Sequence, residues 1–162
     1  MREIIFRGKA KGRNDWVEGL LIKVGKYCRI LEPDCESYGE TYLDAELGTI
    51  DGQAEPVIPE TVGQYTGFED KNGKKIFEGD IIRRPTRRPG VPECAYLVVF
   101  HDGEFKMVEK YYVNYPEMSP KNIAYSGKKY VICSPNLLYK AEKYFEVIGN
   151  VYDNPELLEE KT

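Results

Sequence analysis

Four arginines are the residues of this sequence whose type and spacing best fit chemistry with a ligand. They form one basic segment: Arg83, Arg84, Arg87 and Arg88. Arginine pairs with phosphate oxygens and stacks on flat rings, so arginines near aromatic residues are typical of sites for single-stranded nucleic acid. Three tyrosines that could supply such rings follow: Tyr111, Tyr112 and Tyr115. The alternatives are a solvated loop, or arginines that pair with acidic residues of a neighbouring subunit.

Acidic residues form the second candidate, and they surround one predicted hairpin: Glu69, Asp70, Glu78 and Asp80. Carboxylates at this density could bind a hard metal ion or exchange protons with a substrate. Turn chemistry explains them better, because a short carboxylate next to a glycine turn accepts backbone amides. Asp70 lies just before Asn72-Gly73, and Asp80 follows Gly79. We therefore predict no metal site at this hairpin.

The one histidine and the four cysteines show no arrangement typical of catalysis. His101 adjoins a predicted turn at Asp102-Gly103, where a solvated role is expected. The cysteines lack the Cys-x-x-Cys spacing of zinc sites: Cys28, Cys35, Cys94 and Cys133. Reduced thiols are expected, with a Cys28–Cys35 bridge as the alternative. Since the sequence also lacks a nucleophile elbow and a phosphate-binding loop, we expect no enzymatic activity and no cofactor.

The composition predicts a globular protein of the cytoplasm. The chain has 162 residues, 41% of them hydrophobic, and a net charge of −4. No stretch approaches the roughly 20 apolar residues of a membrane span, and the N-terminus lacks the apolar centre of a signal peptide. A negative chain does not attract polyanions as a whole, so any binding of nucleic acid would depend on the arginine segment.

Short antiparallel strands are the elements predicted to position these residues. Alternation of apolar and polar residues between glycine turns favours strands at residues 2–7, 16–24, 27–31, 64–69, 74–77, 80–84, 94–100, 104–109, 123–125, 129–133 and 145–152. Asn72-Gly73 predicts a type I′ turn, and Asp102-Gly103 predicts a second two-residue turn. Proline after a capping residue predicts helices at 136–143 and 156–160. The predicted fold class is mainly β: an antiparallel small barrel or packed sheets, with two short helices, one of them C-terminal.

Six segments, in order along the chain, carry a family resemblance. They are Arg2-Glu-Ile-Ile-Phe-Arg7, Trp16-Val-Glu-Gly19, Thr61-Val-Gly-Gln-Tyr-Thr-Gly67, Asp70-Lys-Asn-Gly-Lys74, Ile76-Phe-Glu-Gly-Asp-Ile81 and Val147-Ile-Gly-Asn-Val-Tyr-Asp-Asn-Pro-Glu-Leu-Leu158. With these segments the sequence resembles the YopX family of phage and prophage proteins. The resemblance implies a β-rich accessory protein that works inside the bacterial host cell. It brings no catalytic residue with it.

The expected organisation is a single YopX-like domain over residues 1–162. A segment rich in proline, glycine and acidic residues at 32–59 favours a finer division, with an N-terminal lobe 1–59 packed on a C-terminal lobe 60–162. The 13 tyrosines favour self-association, because tyrosine is common at interfaces and exposed sheet edges need cover. We therefore expect a homo-oligomer that acts by binding, with a phage or host protein as a further partner and no membrane. The alternative is a nucleic-acid-binding module that uses Arg83–Arg88.

Overall fold

The computed structural model describes residues 3–33, 54–85, 95–110, 122–125, 128–134 and 140–158. The chain divides into two compact units, Met1–Tyr65 and Thr66–Thr162. One strand runs across the boundary between them, and each unit is described by itself below. The lobe boundary predicted between residues 59 and 60, and the packing of one lobe on the other, stay predictions.

Antiparallel strands build the first unit: β1 (Phe6–Lys9), β2 (Trp16–Val24), β3 (Tyr27–Leu31), β4 (Glu55–Pro56) and β5 (Gly63–Glu69). Their spatial order is β4-β3-β2-β1-β5, and β5 continues into the second unit. A short 3-10 helix, Pro59–Thr61, leads from β4 to β5. The Thr61 hydroxyl accepts the Lys9 amide at 2.9 Å, which ties this helix to the end of β1.

Residues just beyond β1 and β4 also pair with each other. Ala10 forms a single antiparallel bridge with Val57. Next to this bridge the Lys11 amide donates to the Pro56 carbonyl at 2.8 Å, and the Ile58 amide donates to the Lys9 carbonyl at 2.9 Å. These contacts curl the sheet around an apolar cluster, which consists of Ala10, Val17, Cys28, Ile30 and Val57.

The second unit contains the remaining strands: β6 (Lys75–Phe77), β7 (Asp80–Arg83), β8 (Ala95–His101), β9 (Glu104–Lys110), β10 (Asn122–Tyr125), β11 (Lys128–Ser134) and β12 (Glu146–Asn150). β6 lies beside β5, and the others form a sheet in the order β10-β11-β9-β8-β7-β12. Helix α1 (Ala141–Tyr144) precedes β12, and a 3-10 helix (Pro155–Leu158) follows it.

The central strands of this second sheet are apolar on both faces, because both faces are covered. Residues that alternate along β7, β8 and β9 enter one of two clusters. The first cluster includes α1 and the residue after it, and contains Ile76, Ile82, Val98, Met107, Ala141 and Phe145. The second includes the last 3-10 helix, and contains Ile81, Leu97, Val99, Val108 and Leu158. A continuous apolar run such as Leu97-Val98-Val99 is therefore a strand with two buried sides.

The structure confirms the predicted fold class in the form of antiparallel sheets with little helix. No ladder of strands closes either sheet into a barrel within the described residues. Of the two predicted helices, the first is α-helical at Ala141–Tyr144, and residues 135–139 lie outside the described part. The C-terminal one is 3-10, because the Leu157 amide bonds to the Asn154 carbonyl three residues back. Among the residues that are described, no helix is long and apolar enough to cross a membrane.

The predicted two-residue turn at Asp102-Gly103 is present, and the predicted type I′ turn at Asn72-Gly73 is wrong. Asp102 and Gly103 both have positive φ, 53° and 80°, as a type I′ turn requires. At the other turn only Gly73 does, with φ 79°. There the Gly73 amide bonds to the Asp70 carbonyl at 3.0 Å, and the Asp70 amide bonds to the Lys74 carbonyl at 2.8 Å. The physical reason is the side chain of Asp70, which holds the turn amides in a wider loop.

Gly19 on β2 lies close to the backbone of β3, and it gives a test of the β2–β3 packing. A Cβ at this position would lie 2.0 Å from the Leu31 carbonyl oxygen, which is backbone and cannot swing away. We expect Gly19→Ala to lower the free energy of unfolding by at least about 2 kcal/mol, measured by urea denaturation.

The matched control is Gly25→Ala in the turn between β2 and β3. A Cβ there meets nothing within 4 Å, and only its φ of 58° is unfavourable for alanine. We expect that control to cost about 1 kcal/mol. Equal losses for the two variants would contradict the close approach at Gly19.

Candidate functional site

Arg83, the first of the predicted site residues, is engaged in an ion pair within the sheet. It ends β7 and lies opposite Glu146, the first residue of β12. The Arg83 Nε–H donates to Glu146 Oε1 at 3.1 Å, and a second guanidinium N–H donates to the same oxygen. Arg83 therefore helps to hold β12 against β7, a role that the sequence analysis did not assign to it.

The other oxygen of Glu146 faces a second cation. Lys71, in the loop between β5 and β6, places its Nζ 2.5 Å from Glu146 Oε2. The Lys71 ammonium and the Arg83 guanidinium together hold the pKa of Glu146 below its usual range. One carboxylate thus faces two cations, and the group as a whole carries excess positive charge.

Arg84 extends this positive charge toward an aromatic ring. Its guanidinium carbon lies 5.2 Å from the ring centroid of Tyr144, at the end of α1. The Nζ of Lys143 lies 5.3 Å from the same centroid. Both distances are within the range of cation–π contacts. Tyr144 is 38% exposed, so its ring is accessible to a ligand as well.

We define the cation–aromatic patch as Lys71, Arg83, Arg84, Lys143, Tyr144 and Glu146. The sequence analysis found only two of its members, because the others join it through the pairing of β7 with β12. A signal for them does exist, since Lys143-Tyr144 directly precedes the predicted closing strand. The remaining predicted members all lie outside the described residues: Arg87, Arg88, Tyr111, Tyr112 and Tyr115.

Asp70 lies at the centre of the contacts that place β12. Its Oδ1 accepts the amides of Asn72 at 2.7 Å and Lys74 at 3.0 Å. Its Oδ2 accepts the amide of Val147 at 2.9 Å, and the side chain is only 3% exposed. Burial by itself would raise the pKa of Asp70, but the hydrogen bonds from these three amides outweigh it and lower the pKa of Asp70 below its ordinary value.

Asp80 plays a similar part at the next turn. Its Oδ2 accepts the Phe77 amide at 2.8 Å, and the residue is 1% exposed. Asp70 and Asp80 therefore do what the turn interpretation predicted of them. Within the described part of the chain, no group of three or more His, Cys, Asp or Glu residues is placed to hold a metal ion.

His101 lies next to a turn, and Cys28 lies in an apolar cluster. His101 ends β8, and its Nε2 lies 3.5 Å from Oδ1 of Asp102 in the turn. Cys28 is a free thiol inside the apolar cluster of the first unit, and burial raises its pKa. Its alternative bridging partner, Cys35, lies outside the described residues.

A different kind of surface lies on the β2–β3 hairpin of the first unit. Alternate residues of β2 and the residue paired with Val24 share one face, which we call the apolar face: Leu20, Ile22, Val24 and Tyr27. Leu20 is 56% exposed, and Val24 and Tyr27 are each 66% exposed. The opposite face of the same hairpin enters the core through Cys28 and Ile30. Arg29, which pairs with Ile22, lies on the same side as the apolar face, and its guanidinium donates to the Ala54 carbonyl at 2.9 Å. The side that faces solvent is therefore apolar apart from this one cation.

Comparison with known proteins finds a family that matches most of this chain. The family described as YopX protein matches residues 5–159. The crystal structure of protein EF1440 from Enterococcus faecalis is similar with a TM-score of 0.48 and 21% sequence identity. That alignment covers 98% of this chain and 100% of that one. No curated protein matches the chain.

The contacts of Asp70 predict an acid-dependent loss of stability. Because its pKa is lower in the folded chain than the ordinary value of about 4, its contribution is fully present above pH 4 and is lost as the pH falls through the folded pKa. We expect Asp70→Asn to lower the free energy of unfolding at neutral pH by about 1–3 kcal/mol, since a neutral amide replaces a charged acceptor.

The difference between wild type and variant should shrink as the solution is acidified, in urea titrations over a pH series. Glu156→Gln, at an exposed position in the last 3-10 helix, is the control and should leave stability unchanged. A difference for Asp70→Asn that stays constant at every pH would argue for a steric effect instead.

Proposed function

This chain belongs to the YopX protein family, and we propose that it is a non-enzymatic phage or prophage accessory protein that acts by binding, as a homo-oligomer. It works in the cytoplasm of the bacterial host, and a phage or host protein is a further partner. The observation that carries this proposal is the apolar face on the β2–β3 hairpin. The two carboxylates most deeply buried beside the hairpin turns, Asp70 and Asp80, serve as backbone acceptors, which supports a role other than catalysis.

Exposure of the apolar face to water costs free energy, and this cost favours self-association. Val24 and Tyr27 are directly paired across the hairpin, and each is two-thirds exposed. Burying an apolar side chain of this size contributes roughly 1.5–3 kcal/mol, so a few of them support a stable contact between copies. Aromatic and aliphatic residues on one flat strand face are the composition of interface centres.

A second candidate, nucleic-acid binding by the Arg83–Arg88 loop, stays a prediction. Arg83 already bonds to Glu146, and Arg84 contacts Tyr144. Arg87 and Arg88 lie beyond the residues that the structure describes. Beyond Arg84 the loop therefore supplies no observation that favours it over self-association.

Replacing Val24 tests the proposed assembly. We expect the wild-type protein to elute as a defined oligomer at micromolar concentration, with its mass measured by light scattering. Val24→Lys should weaken the association about tenfold or more, because one buried apolar group is exchanged for a charge.

Asn14→Lys is the matched control, since it places the same side chain at an exposed position in the turn between β1 and β2. That control should keep the wild-type mass. A wild-type monomer, or equal weakening by both lysines, would refute assembly through the apolar face.

A further inference from the structure

We propose that the cation–aromatic patch binds single-stranded nucleic acid, with Tyr144 as the stacking ring and Arg84 and Lys143 as the phosphate contacts. This function is separate from self-association, and it uses residues of the second unit alone. It shares Arg84 with the loop site predicted by the sequence, but it uses neither Arg87 nor Arg88 and takes its ring from α1. Three properties of the patch support this binding: its positive charge, its accessible ring, and the rigid attachment of the ring and the cations to the sheet.

The first property is the positive charge of the patch. The patch contains the cations Lys71, Arg83, Arg84 and Lys143, which are connected by contacts to one carboxylate, Glu146, and to one ring. The buried carboxylate of Asp70 lies beside them, because it accepts the amide of Val147, the residue after Glu146. Four cations against two carboxylates leave a local charge of two positive, in a chain whose net charge is −4. A local excess of this sign attracts polyanions even when the whole molecule repels them.

The accessible ring is the second property, and it favours a single-stranded nucleic acid over other polyanions. Tyr144 is 38% exposed and already has two cations within cation–π distance of its centroid. Sites for single strands combine a positive groove along the backbone with a ring on which a base stacks. The carboxylates of an acidic peptide would pair with the cations but would not stack on the ring. A double helix would keep its bases inside the stack and out of reach of Tyr144.

The third property is the rigid support of the ring and the cations. Tyr144 is followed by Phe145, which is 3% exposed and packs edge-on against Tyr96 at 5.9 Å between ring centroids. The next residue, Glu146, is bonded to Arg83 on the neighbouring strand. The Phe145 carbonyl accepts the Lys71 amide at 2.9 Å. The ring and the cations are thus attached to the sheet through backbone and buried contacts, which reduces the ordering cost of binding.

Fluorescence anisotropy with a labelled oligothymidylate tests this site on the full chain. We expect binding at low salt that weakens as salt is added, with a log–log slope of about −1.4 for two phosphate contacts on a single strand. Arg84→Ala should reduce that slope by about 0.7. Tyr144→Ala should weaken binding about fivefold or more, whereas Tyr144→Phe, which keeps the ring, should bind like wild type.

Lys11→Ala is the control for charge, since Lys11 is exposed in the first unit. It should leave both affinity and slope unchanged. Three results would overturn the proposal: no binding at low salt, equal loss with Lys11→Ala and Arg84→Ala, or equal loss with Tyr144→Phe and Tyr144→Ala. Competition by polyglutamate as strong as that by unlabelled oligonucleotide would also overturn it.

The mass of each variant, measured by light scattering in the same buffers, separates this proposal from the assembly proposed above. An oligomeric wild-type protein that does not bind the oligonucleotide contradicts the patch alone. A wild-type protein that binds the oligonucleotide but is a monomer supports the patch and contradicts the assembly. Circular dichroism confirms that each variant is folded.

Discussion

The second unit depends on one buried anion, the carboxylate of Asp70. It accepts two amides from its own loop and one from Val147, a residue that is 77 positions away in sequence. A carboxylate that is 3% exposed would be costly to bury without partners, and three charge-assisted hydrogen bonds offset that cost. Because one of these bonds is to β12, the loop and the last strand are positioned together. The Glu146 ion pairs and the burial of Phe145 follow from that position.

Local features of the sequence predicted the strands well, because alternation and glycine turns are written in neighbouring residues. Strands β2 and β3 have the predicted bounds, and the hairpins at Asp102-Gly103 and between β10 and β11 are present. The first strand is shifted, to Phe6–Lys9, because its partners Gly19 and Gln64 set its register. Long apolar runs such as Leu97-Val98-Val99 needed the structure, since only covering elements on both sides explain them.

The candidate site was less predictable, because residue types are visible in a sequence and their partners are not. Arginine at position 83 reads as a phosphate contact until the pairing of β7 with β12 places Glu146 opposite it. The Asn72-Gly73 turn was wrong for a related reason: a side chain two residues earlier competes for the turn amides. Both cases show a contact made by one side chain that overrides a local preference of the backbone.

The curled end of the first sheet has a consequence for how copies of this chain can meet. Strand β4 is two residues long and is the outermost strand of that sheet in the described part of the chain. Pro56 has no amide to donate, and its carbonyl already accepts Lys11. A growing stack of chains joined strand to strand, as in a fibril, therefore finds no template at β4. A contact between β4 and another chain must instead be made through side chains.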